Sequence, residues 1–223
     1  LEGSVRSDAK FSLLLEPAKP LVVFGENGVS RKGAEESAAS YYLTFPRLRA
    51  NGKLHYGERE LAVSGEVWMD HEISSSQLDR NQIGWDWVSI QLFDGREVMA
   101  YILRNEDGSI SPFSKLVWIA ADGKLTHQSP GEFLWKPGGA WESKETGAVY
   151  PVSPSIETKD PETGALVNFQ IRPVMLSQEM VGGAGGVNYW EGACDVLDDT
   201  EKPVGRAYLE LTGYSGDLAH RLR

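Results

Sequence analysis

The sequence predicts an all-β, antiparallel fold of sandwich or barrel type, and three features carry that reading. Short apolar segments alternate with polar residues at a period of two, as half-buried strands do. Turn-forming pairs such as Asn51-Gly52, Asp94-Gly95, Asp107-Gly108 and Asp122-Gly123 punctuate them, at the spacing of about 8–12 residues expected of β-sandwiches and barrels. No segment sustains helical periodicity over about 11 residues, with Val174 to Val181 at the margin.

In chain order, Phe11 to Glu16 is an apolar run closed by Pro17 and Pro20. Leu21 to Phe24 is another, ended by Gly25-Glu26-Asn27-Gly28. A polar loop, SRKGAEESA, leads to the strand Tyr41 to Phe45, and Asn51-Gly52 reads as a turn into the next pair. Leu61 to Met69 is a strand rich in Val and Trp, followed by SSSQLDRNQ as a loop or one short helix. Further on, Leu116 to Ile119 and Leu125 flank Asp122-Gly123, and Pro137-Gly138-Gly139 turns the chain between Trp135 and Trp141. DPETG at 160–164 separates Ser155–Thr158 from Leu166–Pro173. The last strands are Tyr189–Val196 and Val204–Tyr214.

The stretch from Gly65 to Leu103 holds three of the seven tryptophans. Asp94-Gly95 between two alternating segments is a strong hairpin signal. Read as a two-residue turn, it sets Phe93 opposite Arg96. Asp86, Val88 and Ile90 then share a face with Met99, Tyr101 and Leu103, while Trp85 and Trp87 face the other way with Val98, Ala100 and Ile102. Both faces are largely apolar, so the hairpin is expected to be covered on both sides. Asp86 is a lone acid on an apolar wall, either a carboxyl whose pKa is raised by desolvation or a structural carboxylate paired with Arg104 or Arg80.

Composition excludes several functions. A chain of 223 residues with a formal charge of −10 lacks the clustered Lys and Arg that nucleic acid requires. No apolar run reaches the ~18 residues of a membrane span. Cys194 is alone, so no internal disulfide forms. The opening LEGSVRSDAK carries no signal-peptide core. No Cys/His/Asp spacing suggests a metal, no Ser sits in a nucleophile elbow, and VGGAGGV at 181–187 lacks the strand-to-helix setting of a phosphate loop. No cofactor is implied. His55, His127 and His220 read as solvated.

One internal echo bears on organisation. Gly65-Glu66-Val67-Trp68-Met69-Asp70 and Gly205-Arg206-Ala207-Tyr208-Leu209-Glu210 match as Gly, any residue, small, aromatic, apolar, acid. Each follows a strand with adjacent aromatics, Tyr41-Tyr42 and Tyr189-Trp190. Such an echo implies two copies of one β unit, each ending in this segment. The first copy is too short for a whole barrel. Residues 1–64 then supply closing strands of an incomplete barrel and residues 65–223 a complete one. The unpaired edges of the N-terminal strands would pair with another segment, the main barrel or a second chain, which allows an oligomer.

WMDHE at 68–72, GWDWVSIQLFDG at 84–95, YWEGACDV at 189–196 and GRAYLELTGY at 205–214, with KPLVVFGENGVSRKG at 19–33 before Tyr41-Tyr42, resemble the AttH-type, carotenoid 1,2-hydratase (hydroxyneurosporene synthase) superfamily. The resemblance covers nearly the whole chain. It implies two lipocalin-like barrels side by side, the first completed in the family by a longer N-terminal part, and a periplasmic or secreted setting. The superfamily mixes hydratases of acyclic carotenoids, cycloaddition enzymes and secreted proteins labelled hydrolases, so it speaks to fold and ligand class more than to reaction.

Hydrating an unactivated C=C needs a proton donor, a cavity that tolerates a carbocation, and a delivered water. A carboxylic acid kept protonated by an apolar pocket meets the first need, and aromatic faces meet the second. Asp70, His71 and Asp86 are the catalytic candidates, with Trp68, Trp85, Trp87, Met99 and Tyr101 against the ligand. Along a strand Asp70 and His71 point to opposite faces, with Trp68, Asp70 and Glu72 sharing one of them. Two departures weigh against carotenoid hydration itself. Ile73 stands where the family commonly has Trp after the Asp-His pair, and Val98 to Leu103 contains no acid. Two functions follow: acid catalysis of hydration or cyclisation on a hydrophobic polyene or isoprenoid-like molecule, or non-catalytic carriage of such a ligand in a barrel or at the barrel junction.

Overall fold

In the computed structural model, which describes residues 1–5, 8–74, 76, 78–182, 186–216 and 218, polar-apolar alternation becomes antiparallel pairing throughout. The first sheet holds β1 (Glu2–Val5), β2 (Ala9–Pro17), β3 (Val22–Val23), β4 (Val29–Arg31), β5 (Ala39–Tyr56) and β6 (Arg59–Ser74). It is built on the long hairpin β5–β6, with β2, β3 and β4 along the far edge of β5 and β1 beyond β2.

The rest is one strongly curved sheet. It takes β7 (Gln82–Leu92), β8 (Glu97–Asn105), β9 (Lys115–Ile119), β10 (Leu125–Gln128) and β11 (Phe133–Lys136), then, past the small pair β12 (Ala140–Glu142) and β13 (Val149–Pro151), β14 (Ser155–Lys159), β15 (Leu166–Pro173), β16 (Glu179–Met180), β17 (Tyr189–Leu197) and β18 (Pro203–Thr212). Its order is β10-β9-β8-β7-β18-β17-β15-β14-β11, with β16 on β17. The end strands are consecutive in sequence, and Thr158 donates to Gln128 Oε1 at 2.6 Å across the seam. The result is a nearly closed barrel beside a half-barrel, a lipocalin-like all-β fold. The sheets divide between β6 and β7, so Gly65 to Ser74, expected with the second unit, runs in the first. No helix of the described residues is long and apolar enough to cross a membrane.

Several local expectations are corrected. Asn51-Gly52 does not turn; both lie inside β5. Gly52 is there for clearance, since a Cβ would meet the Ser12 carbonyl oxygen of β2 at 2.0 Å. The hairpin turns instead at Gly57-Glu58, between paired Tyr56 and Arg59. Val174 to Gln178 is irregular rather than helical, and leads into β16. His220, like residues 183–185, lies outside the described residues.

The central hairpin is shifted by one residue from its expected register. Leu92 and Arg96 close a loop of three residues, Phe93-Asp94-Gly95, through Leu92 N–H to Arg96 O at 2.9 Å and Gly95 N–H to Leu92 O at 3.2 Å. Gly95 sits at φ 89°, the left-handed residue of a type I turn with a bulge. Asp94 explains the choice, because its Oδ1 accepts the Arg96 N–H at 3.0 Å. Asp107 does the same for Ser109 and Asp122 for Lys124, each at 2.9 Å, in the two other Asp-Gly loops. Trp85 consequently pairs with Leu103, Asp86 with Ile102, Trp87 with Tyr101 and Ser89 with Met99. Asp86 therefore shares its face with Val88, Ile90, Val98, Ala100 and Ile102, not with Met99, Tyr101 and Leu103.

The two faces feed two cores. Val88, Ile90, Ala100 and Ile102 join Trp118, Trp190, Tyr150, Ile156 and Ile171 inside the barrel, which is filled by side chains. Met99, Tyr101 and Leu103, with Trp85 and Trp87, join Val22, Phe24, Tyr42 and Val117 between the sheets.

Gly95→Val should cost about 1 kcal/mol or more, since a β-branched residue is strained at positive φ. No atom lies within 4 Å of the added Cβ, so the loss would be conformational alone, and Gly95→Asn should be milder. Denaturant midpoints of the two variants check this; an unchanged midpoint for the Val variant would contradict the loop assignment.

Candidate functional site

The junction between the sheets encloses a cavity of about 310 Å³, lined by Asp70 and Glu72 of β6, Tyr42 of β5, Trp85 and Trp87 of β7, Glu210 of β18, with Lys32, Tyr101 and Leu103. Alternation along β6 brings Trp68, Asp70 and Glu72 to this side and sends Met69, His71 and Ile73 outward. The same alternation on β7, in the corrected register, delivers both indoles to the cavity.

Asp70 is held by three donors. Thr44 Oγ1 and Trp68 Nε1 donate to Oδ1 at 2.5 and 2.8 Å, and the Tyr42 hydroxyl donates to Oδ2 at 2.8 Å. Trp87 Nε1 in turn donates to the Tyr42 oxygen at 3.1 Å. Burial lifts the Asp70 carboxyl above its ordinary value, and the three hydrogen bonds restrain that rise. Such donors favour the anion, and one acceptor position on Oδ2 stays open. The Tyr42 phenol is held far above its normal value by burial and by Asp70, so it remains a neutral donor.

Glu210 has the opposite environment. Among the described residues one donor reaches it, Trp85 Nε1 to Oε1 at 2.6 Å. Although the residue keeps some exposure through the cleft, desolvation of its carboxyl, with Glu191 and Glu72 adding like charge, pushes its pKa to about 7. Glu191 lies directly across the β17–β18 ladder. Glu72 closes the other side of the cavity, accepting from Lys32 Nζ at 2.5 Å and from Ser40 Oγ at 2.6 Å.

Of the residues that sequence reasoning singled out, Asp70, Trp85, Trp87 and Tyr101 meet at this cavity. Trp68 stands behind it, bonding Asp70 and packing edge-on to Trp87 with ring centroids 6.2 Å apart. Met99 lines a neighbouring cavity. His71 is exposed on the outer side of β6. Asp86 is on the far side of the β7–β8 sheet, 0 % exposed inside the barrel. There it accepts from Arg104 Nε at 3.1 Å, Tyr214 at 2.9 Å and Trp135 Nε1 at 3.1 Å. Burial still raises its pKa against these partners, but it forms a bonded ion pair away from the cleft. The guanidinium of Arg104 also lies 3.9 Å over the Tyr214 ring and donates to the Thr212 carbonyl. Sequence reasoning passed over Tyr42, Lys32, Glu72 and Glu210 as site residues. The signal for Glu210 was present: the internal echo aligns it with Asp70.

The AttH-like family model matches residues 3–214. The chain belongs to the AttH-like family. A crystal structure of a protein assigned as AttH from Nitrosomonas europaea is similar at 36% identity and TM-score 0.84, over 96% of this chain and 64% of that one. The chain thus spans about two thirds of that relative's length. Kievitone hydratase from Nectria haematococca shares the fold at 16% identity and TM-score 0.71, over 94% of this chain and 63% of its own. CghA in complex with Sch210972 does so at 12% and 0.53, over 96% of this chain and 64% of its own. No curated protein matches in sequence.

Two outcomes test the geometry. Arg104→Met should destabilise the AttH-like fold by about 3–5 kcal/mol, because it strands the Asp86 charge in the barrel; denaturant unfolding near neutral pH measures it, and a loss below about 1 kcal/mol would contradict the pairing. Glu210 binds its proton more tightly in the folded chain, at about 7 against an ordinary 4.5. Below about pH 4.5 both states hold that proton, and between there and about pH 7 only the folded state does. Stability therefore falls as pH rises across this window. Glu210→Gln should remove that fall, on the order of 3 kcal/mol, seen as a widening gap between variant and wild-type melting curves from acid to neutral pH.

Proposed function

We propose that the junction cleft binds the uncharged, partly apolar end of an isoprenoid-like molecule and promotes acid-catalysed hydration or cyclisation at a C=C. The observation that carries this reading is the pairing of two unlike carboxyl groups, one from each sheet, on one tryptophan-walled cavity. Three donors reach Asp70 where Trp85 alone reaches Glu210 among the described residues, and unlike surroundings of this kind suit neighbouring acids to base and acid roles.

Glu210, protonated in part near neutral pH, donates to one alkene carbon, and a C–H bond forms as the π bond breaks. The Trp85 and Trp87 rings stabilise the cation that develops on the other carbon. A water oxygen then bonds that carbon while its proton passes to the open lone pair of Asp70, and solvent exchange returns a proton to Glu210. In cyclisation a second double bond replaces water as the nucleophile, and the proton lost from the ring goes to the same base. Tyr42 and Trp68 hold Asp70 in place, and Lys32 pairs with Glu72 at the lip.

Charge and size narrow the ligand. Asp70, Glu72 and Glu210 outnumber Lys32 here, so anions are repelled. A cavity of about 310 Å³ is at the small end for ligand pockets and takes a compact molecule or the reacting end of a longer one. The fold shared with kievitone hydratase supports water addition as the reaction class.

The test is turnover on short isoprenoid alkenes in isotopically labelled water, followed by mass spectrometry. Glu210→Gln and Asp70→Asn should each lower the rate by about 100-fold or more while the alkene still binds. Asp86→Asn should lower stability and leave the folded protein active. Undiminished turnover in Glu210→Gln would remove the acid from this role, and binding without turnover in the wild type would favour the carrier.

A further inference from the structure

We propose that the cavity on the other side of Tyr101 is a second ligand subsite, one that takes an apolar body ending in an anionic group. Tyr101 lines both spaces, the acid cleft and a cavity of about 580 Å³ formed by β8, β9, β10 and the segment around β3 and β4. Its hydroxyl is held by Ser30 Oγ at 3.2 Å, and both residues are buried. The tyrosine is thus a wall common to two ligand-sized spaces.

The two spaces differ in chemistry. Phe24, Met99 and Val117 form the floor of the second cavity, with Phe113 as a wall. Val29 is 45% exposed at the rim, an apolar side chain placed where a ligand body would cover it. Lys115 Nζ donates to Ser129 Oγ at 2.9 Å, and Arg31 donates to the carbonyls of Gly33, Ala34 and Glu35. Neither cation forms an ion pair with a carboxylate among the described residues, and Glu26 is the one acid lining the cavity. A surplus of positive charge beside apolar side chains is unusual in a chain of net charge −10. It contrasts with the acid cleft, where carboxylates outnumber cations.

The geometry of a bridging ligand follows, and that part rests on the proposed reading of the acid cleft. A neutral alkene end would sit among Trp85, Trp87 and Glu210, the apolar body would pass Tyr101, and a carboxylate, sulfonate or phosphate end would meet Lys115 and Arg31. Occupation of the second cavity by an apolar anion stands without that reading.

Two fluorescent probes with the same rings test it: 1-anilinonaphthalene-8-sulfonate, which is anionic, and N-phenyl-1-naphthylamine, which is uncharged. The wild-type chain should bind the sulfonate at one saturable site, about tenfold or more tighter than the uncharged probe. Lys115→Glu should abolish that preference, Val29→Trp should weaken both probes by filling the rim, and Glu210→Gln should change neither. Far-UV circular dichroism verifies that each variant folds, with Lys115→Gln replacing Lys115→Glu where it does not. Unchanged sulfonate binding in the folded Lys115 variant, or its loss in Glu210→Gln, would overturn the second subsite. Loss of turnover in Glu210→Gln with these affinities intact would leave both proposals standing, and retained turnover would overturn the acid cleft alone.

Discussion

The site depends on a single constraint, the register of the β7–β8 hairpin. Both of its faces are apolar, so hydrophobic patterning favours neither of two registers that differ by one residue, yet a one-residue slip exchanges the partner face of every side chain. What decides is the loop. Asp94 accepts the Arg96 amide and Gly95 takes the left-handed conformation, which fixes three loop residues rather than two. From that local choice, Arg104 comes within reach of Asp86 inside the barrel, and Tyr101 and Leu103 come beside Trp87 and Trp85 outside it. A buried acid is compensated and an aromatic wall is assembled by the same shift.

The wall becomes a cleft because the first sheet is held against it. Glu97, fully buried at the start of β8, accepts from Lys19 Nζ at 2.5 Å and from Arg47 Nε at 2.7 Å. Arg47 also reaches Glu66 and the Leu92 carbonyl. It can do so because the β5–β6 register breaks between Phe45 and Leu48, where Pro46 offers no N–H to the ladder. A bulge of this kind re-aims a side chain. Burial raises the Glu97 pKa in spite of its two cations, so the clamp contributes alignment of the sheets more than net stability.

How much of this was legible in the sequence depended on whether the signal was local. Alternation and turn dipeptides reveal strands, and DPETG, Asp107-Gly108 and Asp122-Gly123 all turn where they stand. Asn51-Gly52 misled because glycine also serves close backbone approach, and the Ser12 carbonyl that requires it is 40 residues away in the chain. Asp86 stayed undecided for a similar reason. An acid among Val and Ile reads equally as a protonated donor or as the partner of Arg104 or Arg80, and only the placement of Arg104, with Tyr214 and Trp135 beside it, decides for the ion pair. That Trp68, Asp70 and Glu72 share one face and His71 takes the other followed from the strand period alone, but not which of the two faces looks into the cavity. Glu210 was visible in the echo with Gly65 to Asp70, but pattern matching equates positions without showing that two equivalent positions on different sheets face one space.

That equivalence carries the chemical lesson of the cleft. Asp70 and Glu210 close matching segments and stand on matching strands, yet they are different acids. Tyr42, Thr44 and Trp68 aim three donors at Asp70, and hydrogen bonds of this kind stabilise charge. Glu210 receives one, from Trp85, and faces Glu191 across the strand ladder, where like charges directly opposite are unfavourable. Holding a proton relieves that repulsion. The two carboxyl groups therefore sit in unlike surroundings, at positions that the sequence makes equivalent. Divergence lies in the neighbours, Tyr42 on one strand and Glu191 on the other, and it is the neighbours that give two equivalent positions chemically different carboxyl groups.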